Sequence, residues 1–261
     1  MNKSRSFIQN IKEDVGAAFM LLTRIPINWH KISPDRPPDL NRCLWVYPFV
    51  GLVVGSIGAT VYCGSIALSI PQYPSIILCL GAMILTTGAF HEDGLADVMD
   101  GFGGGLTKEK KLDIMRDSRI GTYGGLALIF SMILKFTSLI NLSDLQLMFA
   151  IIIGASISRL MILVTLLFLS PAREDSLSTA AGIPSNRAMI TSSIIALLPP
   201  LLFLNIKMTV IIFLIALLTT AIMCRISYKQ IGGYSGDVLG AVQQISEISI
   251  FITLAAIWGM K

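Results

Sequence analysis

The chain has 261 residues, of which 54% are hydrophobic and only 14% charged, and its mean hydropathy is +0.73. An ordinary soluble domain carries about 25% charged residues, so the composition excludes that class. It points to an all-α, polytopic membrane helix bundle: one domain over residues 1–261 with room for about six to eight spans and no second, soluble domain. The formal charge of +4 arises from basic residues scattered along the loops, which excludes a nucleic-acid-binding patch.

Residues Phe7 to Leu22 place Phe7, Ile8, Ile11, Val15, Ala18, Phe19 and Leu22 on one helical stripe, with Lys12, Glu13 and Asp14 on the other side. This predicts an N-terminal amphipathic helix lying on the membrane surface. The residues before it are polar and give no signal peptide with a cleavage site. Pro26 to Asn41, with Pro34, Pro37 and Pro38, reads as an extended loop. Seven spans are then expected: Val46 to Ile70, Pro74 to Phe90, Gly121 to Leu142, Gln146 to Ser170, Ala188 to Leu204, Lys207 to Ile226 and Val238 to Met260. Gly51, Gly55 and Gly58 in the first would let another helix approach closely. Pro199 and Pro200 predict a kink in the fifth. Cys43, Cys63, Cys79 and Cys224 follow no metal-binding spacing and read as reduced filler.

Lys and Arg divide unevenly between the two sets of loops. Lys3, Arg5, Lys12, Arg24, Lys31, Arg36 and Arg42 precede the first span, and Lys108, Lys110, Lys111, Arg116 and Arg119 follow the second. The loops around Arg173 and Arg187 and around Arg225 and Lys229 fall on the same side, whereas the opposite side has only Lys207 and Lys261. The positive-inside rule makes the basic side cytoplasmic, with the N-terminus inside and the C-terminus outside.

The segment His91 to Gly101 carries the most chemistry. Read as a helix, it sets Asp93, Asp97 and Asp100 at i, i+4 and i+7 on one face. Three carboxylates so close repel one another unless a cation sits among them, and oxygen-only donors suit Mg²⁺ or Mn²⁺ better than zinc. A solvated acidic helix end is the plain alternative. His91 beside the cluster is a candidate proton acceptor, or a group packed at a helix end. Gly101 to Gly105 reads as a flexible break. Beyond it, Asp113 and Asp117 share a helix face, with Arg116 and Arg119 on a neighbouring one. Arginines beside a carboxylate-bound metal suit phosphate transfer, because metal and guanidinium together neutralise the developing charge.

A third constellation, Gly232-Gly233-Tyr234-Ser235-Gly236-Asp237, is a glycine turn opening a helix. It can present backbone N–H groups to an anion, and Asp237 can serve as the N-cap. Gln243, Gln244 and Glu247 then enter an apolar span, so Glu247 should face the bundle interior with a partner, for which Arg159 is a candidate. Lys135 is expected to snorkel at the far interface.

Three runs taken together carry a resemblance: Phe90 to Asp97 with Asp100-Gly101, Met115 to Thr122 with Gly124 to Ala127, and Gly233 to Asp237 with Gly240-Ala241 and Glu247. With Leu22 to Pro26 and Pro48 to Gly51, they resemble the cobalamin synthase family, the adenosylcobinamide-GDP ribazoletransferases. The resemblance implies a multi-pass enzyme of the cell inner membrane, surrounded by lipid. It would join adenosylcobinamide-GDP to α-ribazole or its 5′-phosphate, release GMP and require Mg²⁺. The family's motif aspartates fall on Asp93 and Asp97, and its variable position on Glu92.

On this reading Asp93, Asp97 and Asp100 hold Mg²⁺ while Arg116 and Arg119 clamp the pyrophosphate. Asp93, Asp97 and His91 act in catalysis, and Asp117, Gly121, Thr122, Gly236, Asp237 and Glu247 complete the substrate and phosphate site. A homo-oligomer is compatible with the sequence. The rival readings are a CDP-alcohol phosphotransferase, a UbiA-type prenyltransferase and a transporter. The run Arg116 to Thr122 argues against the first two, and the clustering of carboxylates on one side against the third.

Overall fold

The computed structural model describes residues 7–173 and 181–259. Lys3, Arg5, Met260 and Lys261 lie outside the described residues. Every element of more than one residue pair is helical, and the single β-bridge among the described residues joins Pro171 to Tyr234. The helices are α1 (Phe7–Leu22), α2 (Trp29–Ile32), α3 (Tyr47–Ala67), α4 (Gln72–Thr87), α5 (Phe90–Gly104) and α6 (Lys108–Ile114). They continue as α7 (Thr122–Leu139), α8 (Asp144–Phe168), α9 (Asn186–Phe203), α10 (Ile206–Ile231) and α11 (Gly236–Gly259). Six of these helical stretches are long and apolar enough to cross a membrane, and a seventh crossing results if α4 and α5 count as one bent span. The chain is a polytopic helical bundle.

Helix α8 occupies the centre. Its apolar stretch is 78% buried, against 28% in α7, α9 and α10, whose outward faces present large apolar side chains such as Phe130, Ile194 and Leu218. Exposed apolar surface of this extent suits lipid contact. Gly51 and Gly55 let α3 pack directly on α8: a Cβ at Gly51 would lie 2.2 Å from the Ala155 carbonyl. Helix α8 opens with a capping box between Ser143 and Gln146.

The loops that carry most of the charge meet at one end of the bundle. Asn41 donates to the Ile183 carbonyl (3.1 Å), Lys111 reaches Gln230, and Arg173 lies 3.6 Å from Asp113. At the opposite end the Tyr62 hydroxyl donates to Asp144 (2.6 Å) and Gln72 to the Leu142 carbonyl (3.1 Å).

Several expectations need correction. Helix α1 spans the residues predicted, but Glu13 and Asp14 are buried, with Arg42 donating to both and the Trp45 indole to Asp14 (2.9 Å). The acidic side of α1 is therefore an internal seam against the 3₁₀ turn Arg42–Val46. The Pro-rich loop contains a short helix, α2.

The largest difference concerns the second span. It stops at Thr87, because Gly88 (φ 64°) and Ala89 (φ 59°) both adopt left-handed backbone. The chain turns by 87° and restarts as α5, so His91 to Ile120 is mostly helix. With 16 residues, α4 is about 24 Å long at 1.5 Å per residue. It is a short span whose continuation turns across the charged end.

Helix α5 crosses α11 at two glycines. A Cβ on Gly94 would stand 2.8 Å from the Asp237 carbonyl oxygen, and one on Gly240 would stand 3.2 Å from the His91 carbonyl. Backbone on both sides leaves nothing that can give way. Gly94→Ala is therefore expected to cost about 1–3 kcal/mol by forcing the helices apart. Gly64→Ala, at a helix position with open space around it, should be neutral or mildly stabilising. Thermal unfolding of the two variants in detergent checks this, and equal midpoints would refute the crossing.

Candidate active site

Helix α5 turns His91, Glu92, Leu95 and Val98 inward, leaves Asp93 exposed, and keeps Asp97 half-buried. Because Gly94 and Gly240 let the backbones touch, the first turn of α11 lies alongside these aspartates. Burial, and then the charges of Asp93, Asp237 and Asp100, push the Asp97 carboxyl up to about 7. The carboxylate cluster is thus built by two helices that are distant in sequence.

The glycine turn before α11 is shaped by packing. Gly233 presses on residues 170–172, where a Cβ would meet the Ser170 carbonyl at 2.2 Å. Tyr234 donates to the Ser170 carbonyl (3.0 Å) and accepts from the Ala172 N–H (2.8 Å). That pairing carries Arg173 to the site, where its charge acts on Asp237. The Ser235 hydroxyl donates to Asp237 (3.2 Å) and accepts from the Val238 N–H (3.3 Å). Ser235 therefore caps α11, the alternative role open to Asp237, and the Asp237 carboxylate is left to line the cleft.

The cleft encloses about 360 Å³. Asp93, Asp237, Arg116, Arg173 and Ser235 mark its polar side, and Leu22, Tyr47, Phe90, Leu112, Met115 and Ile162 are among its apolar walls. Gly236 and one face of His91 also border it. Carboxylates and guanidinium groups lining one cleft provide for a cation and a phosphate at once.

The structure does not gather the other expected residues here. Both Asp100 oxygens accept backbone N–H groups at the start of α7, from Gly121 (2.7 Å) and Gly124 (2.8 Å). Asp100 is thus a cap joining α5 to α7, and Gly121 and Gly124 are glycines because a Cβ would strike its carboxylate. Thr122 begins α7 beside this contact, exposed to solvent. Asp117 and Arg119 pair with each other on the exposed connection before α7, and the Arg119 side chain holds the Asp117 carboxyl down to about 2. Neither borders the cleft. Glu247 lies inside the bundle, as its apolar setting predicted, but its partner is Lys135, at 2.6 Å. Lys135 does not snorkel outward: it is 3% exposed. Arg159 feels the charge of Glu247 but donates to the Ala155 carbonyl (2.8 Å).

Among the described residues, no three His, Cys, Asp or Glu side chains come together to hold a metal ion, so Asp93, Asp97 and Asp100 do not form the expected triad. The arrangement still fits Mg²⁺, which binds one or two carboxylates and completes its octahedron with water and substrate phosphates. Asp93 and Asp237 supply oxygen donors at the cleft, and the crowding felt by Asp97 is what a divalent cation relieves. Arg173 is the residue that sequence reasoning missed. It counted there only as loop charge, and its place depends on the pairing of Tyr234 with Ser170 and Ala172.

Fold and site together define a multi-pass membrane protein with a carboxylate and arginine cleft at its charged end. Comparison with known proteins narrows this class. The family model described as CobS, cobalamin-5-phosphate synthase, matches residues 14–255. An adenosylcobinamide-GDP ribazoletransferase of Azorhizobium caulinodans is 42% identical over 250 residues, covering 93% of this chain and 95% of the relative. Proteins of the same name from Mesorhizobium japonicum and Shewanella frigidimarina are 38% and 37% identical, covering 94% and 92% of this chain and 93% of each relative. No solved structure matches the chain. The chain belongs to the CobS family.

Asp100 and Asp93 should respond differently to substitution. Asp100→Ala strands two N–H groups at the start of α7 and is expected to cost about 1–3 kcal/mol, whereas Asp93→Asn should leave the unfolding midpoint unchanged. Thermal melts of both variants decide it, and an unaffected Asp100→Ala would remove the capping role.

Proposed function

We propose that the chain is the adenosylcobinamide-GDP ribazoletransferase of its organism and completes the nucleotide loop of cobalamin at the cleft between α5 and α11. Family membership over residues 14–255 carries this reading, and the cleft suits it chemically. A hydroxyl of α-ribazole, or of its 5′-phosphate, attacks the phosphorus on the cobinamide side of the pyrophosphate. The new P–O bond forms as the bond to GMP breaks, and GMP leaves with the electron pair while the hydroxyl gives up its proton.

This is phosphoryl transfer, so the protein's part is positioning and charge neutralisation. Asp93 and Asp237, with Asp97 behind them, would hold Mg²⁺, which when bound lowers the charge of the pyrophosphate and of the departing GMP. Arg116 and Arg173, which line the same cleft, steady the phosphate oxygens. Ser235 orients the Asp237 carboxylate through its hydroxyl. The apolar wall around Leu112 and Ile162 receives the base of the nucleoside, while the corrinoid, much larger than a cleft of about 360 Å³, stays at the mouth.

We further propose that the charged end faces the cytoplasm of an inner membrane, on the strength of the Lys and Arg gathered there. Neither diphosphate-dependent prenyl or alcohol transfer nor transport is favoured, given the family to which the chain belongs.

Purified protein supplied with Mg²⁺, adenosylcobinamide-GDP and α-ribazole is expected to release GMP. Asp93→Asn, Asp237→Asn and Arg173→Ala should each lower turnover by roughly 100-fold or more while the protein still inserts and folds. Absence of GMP release from folded wild-type protein would sink the assignment. Thiol labelling of Ser118→Cys in a Cys63→Ser background in intact cells tests the orientation, and modification by a membrane-impermeant reagent from outside would reverse it.

A further inference from the structure

Behind the cleft, α5, α7, α8 and α11 enclose a set of charged and amide side chains that the reaction as described does not touch. Lys135 of α7, Glu92 of α5, Glu247, Gln243 and Gln244 of α11 and Arg159 of α8 are all buried. Lys135 Nζ lies 2.6 Å from Glu247 and 3.9 Å from Glu92. Gln244 donates to Glu92 (2.9 Å) and to the Gln243 side-chain oxygen (2.8 Å), and Gln243 donates to Glu247 (3.2 Å) and to Ser158 of α8 (2.9 Å). An unbroken chain of polar contacts therefore runs from the central helix through α11 to α5 and α7.

Such a cluster is costly to bury, and replacing a buried ion pair with apolar residues is often neutral or stabilising. Its presence in an otherwise apolar core is better explained by register than by stability. Helices that pack only through apolar and small residues can slide or rotate with little penalty. A pair that must stay matched cannot. Glu92 directly precedes Asp93, and neighbouring residues on a helix are about 100° apart. Holding Glu92 inward on Gln244 and Lys135 thus fixes the angle at which Asp93 faces the cleft. The same contacts hold α11, and so Asp237, in register with α5.

We infer that Glu92, Lys135, Gln244 and Glu247 are positioning residues, a lock that sets the rotation of α5 against α11 so that Asp93 and Asp237 share one ligand. Three residues of the cluster, Glu92 (Oε2), Arg159 (Nε) and Gln244 (Oε1), and the neighbouring His91 (Nε2) retain a buried polar atom without a partner. They border a space of about 10 Å³, the size that takes one water molecule, which would extend the lock.

The test uses the full chain with Cys63→Ser and spin labels at Met99→Cys on α5 and Ile252→Cys on α11, both exposed positions. Lys135→Met alone leaves Glu247 buried without its counter-charge and can fail to fold. The informative variant is Lys135→Met with Glu247→Leu, which removes both charges. It should melt near the wild-type temperature but show a shifted or broadened interlabel distance by pulsed electron resonance. Measured without labels, its kcat should fall about tenfold or more, with KM for α-ribazole within about twofold.

An unchanged distance, or a changed distance with wild-type kcat, would overturn the lock. The turnover arm rests on the transferase reading and the distance arm does not. A wild-type protein without activity would refute that reading and leave the distance to decide the lock.

Discussion

How closely α5 and α11 pass is the constraint on which the site depends. Gly94 and Gly240 bring backbone against backbone, and only that contact places Asp237 within the field of Asp93 and Asp97. A side chain at either glycine would separate the two halves of the cleft. Two further contacts of the same kind complete the frame: Gly233 against the Ser170 carbonyl, which carries Arg173 into position, and Gly121 with Gly124 against Asp100, which ties α7 to α5. Small residues do in this bundle what the hydrophobic effect cannot do between helices in lipid.

From that frame the division of labour among the acidic residues follows. Asp100 serves structure, Asp117 is engaged by Arg119 at the surface, and Glu247 belongs to the internal ion cluster. The carboxylates that meet the cleft and its approach are Asp93, Asp97 and Asp237, and Arg116 and Arg173 line the same cleft. The bend at Gly88-Ala89 matters here as well. Without it α4 would run straight on, and the aspartates would project past the bundle instead of lying across its charged end.

Much of the fold was legible in the sequence, because long apolar runs separated by polar loops announce spans directly. The helical phase of Asp93 and Asp97, the glycine turn at 232–236 and the interior placement of Glu247 could be read in the same way. Other features depended on contacts between distant segments. Ala89 is not a residue that announces a left-handed turn, so the 87° break was hidden within an apolar run. Asp100 shares a face with Asp93 by spacing, yet its partners are the N–H groups of Gly121 and Gly124, 21 and 24 residues onward. Lys135 resembled an interfacial lysine because Glu247 lies 112 residues away in the chain. Arg173 had no motif around it at all.

The central claim is that carboxylates of α5 and α11 act on one divalent cation. It is tested most directly by titrating the purified protein with Mn²⁺ in the presence of GMP and following free Mn²⁺ by electron paramagnetic resonance. Asp93→Asn and Asp237→Asn should each weaken binding by about tenfold or more, a loss of about 1.4 kcal/mol or more. The double variant should depart from the sum of the two single losses, as expected for ligands of a single ion. Wild-type Mn²⁺ affinity in Asp237→Asn would contradict the account.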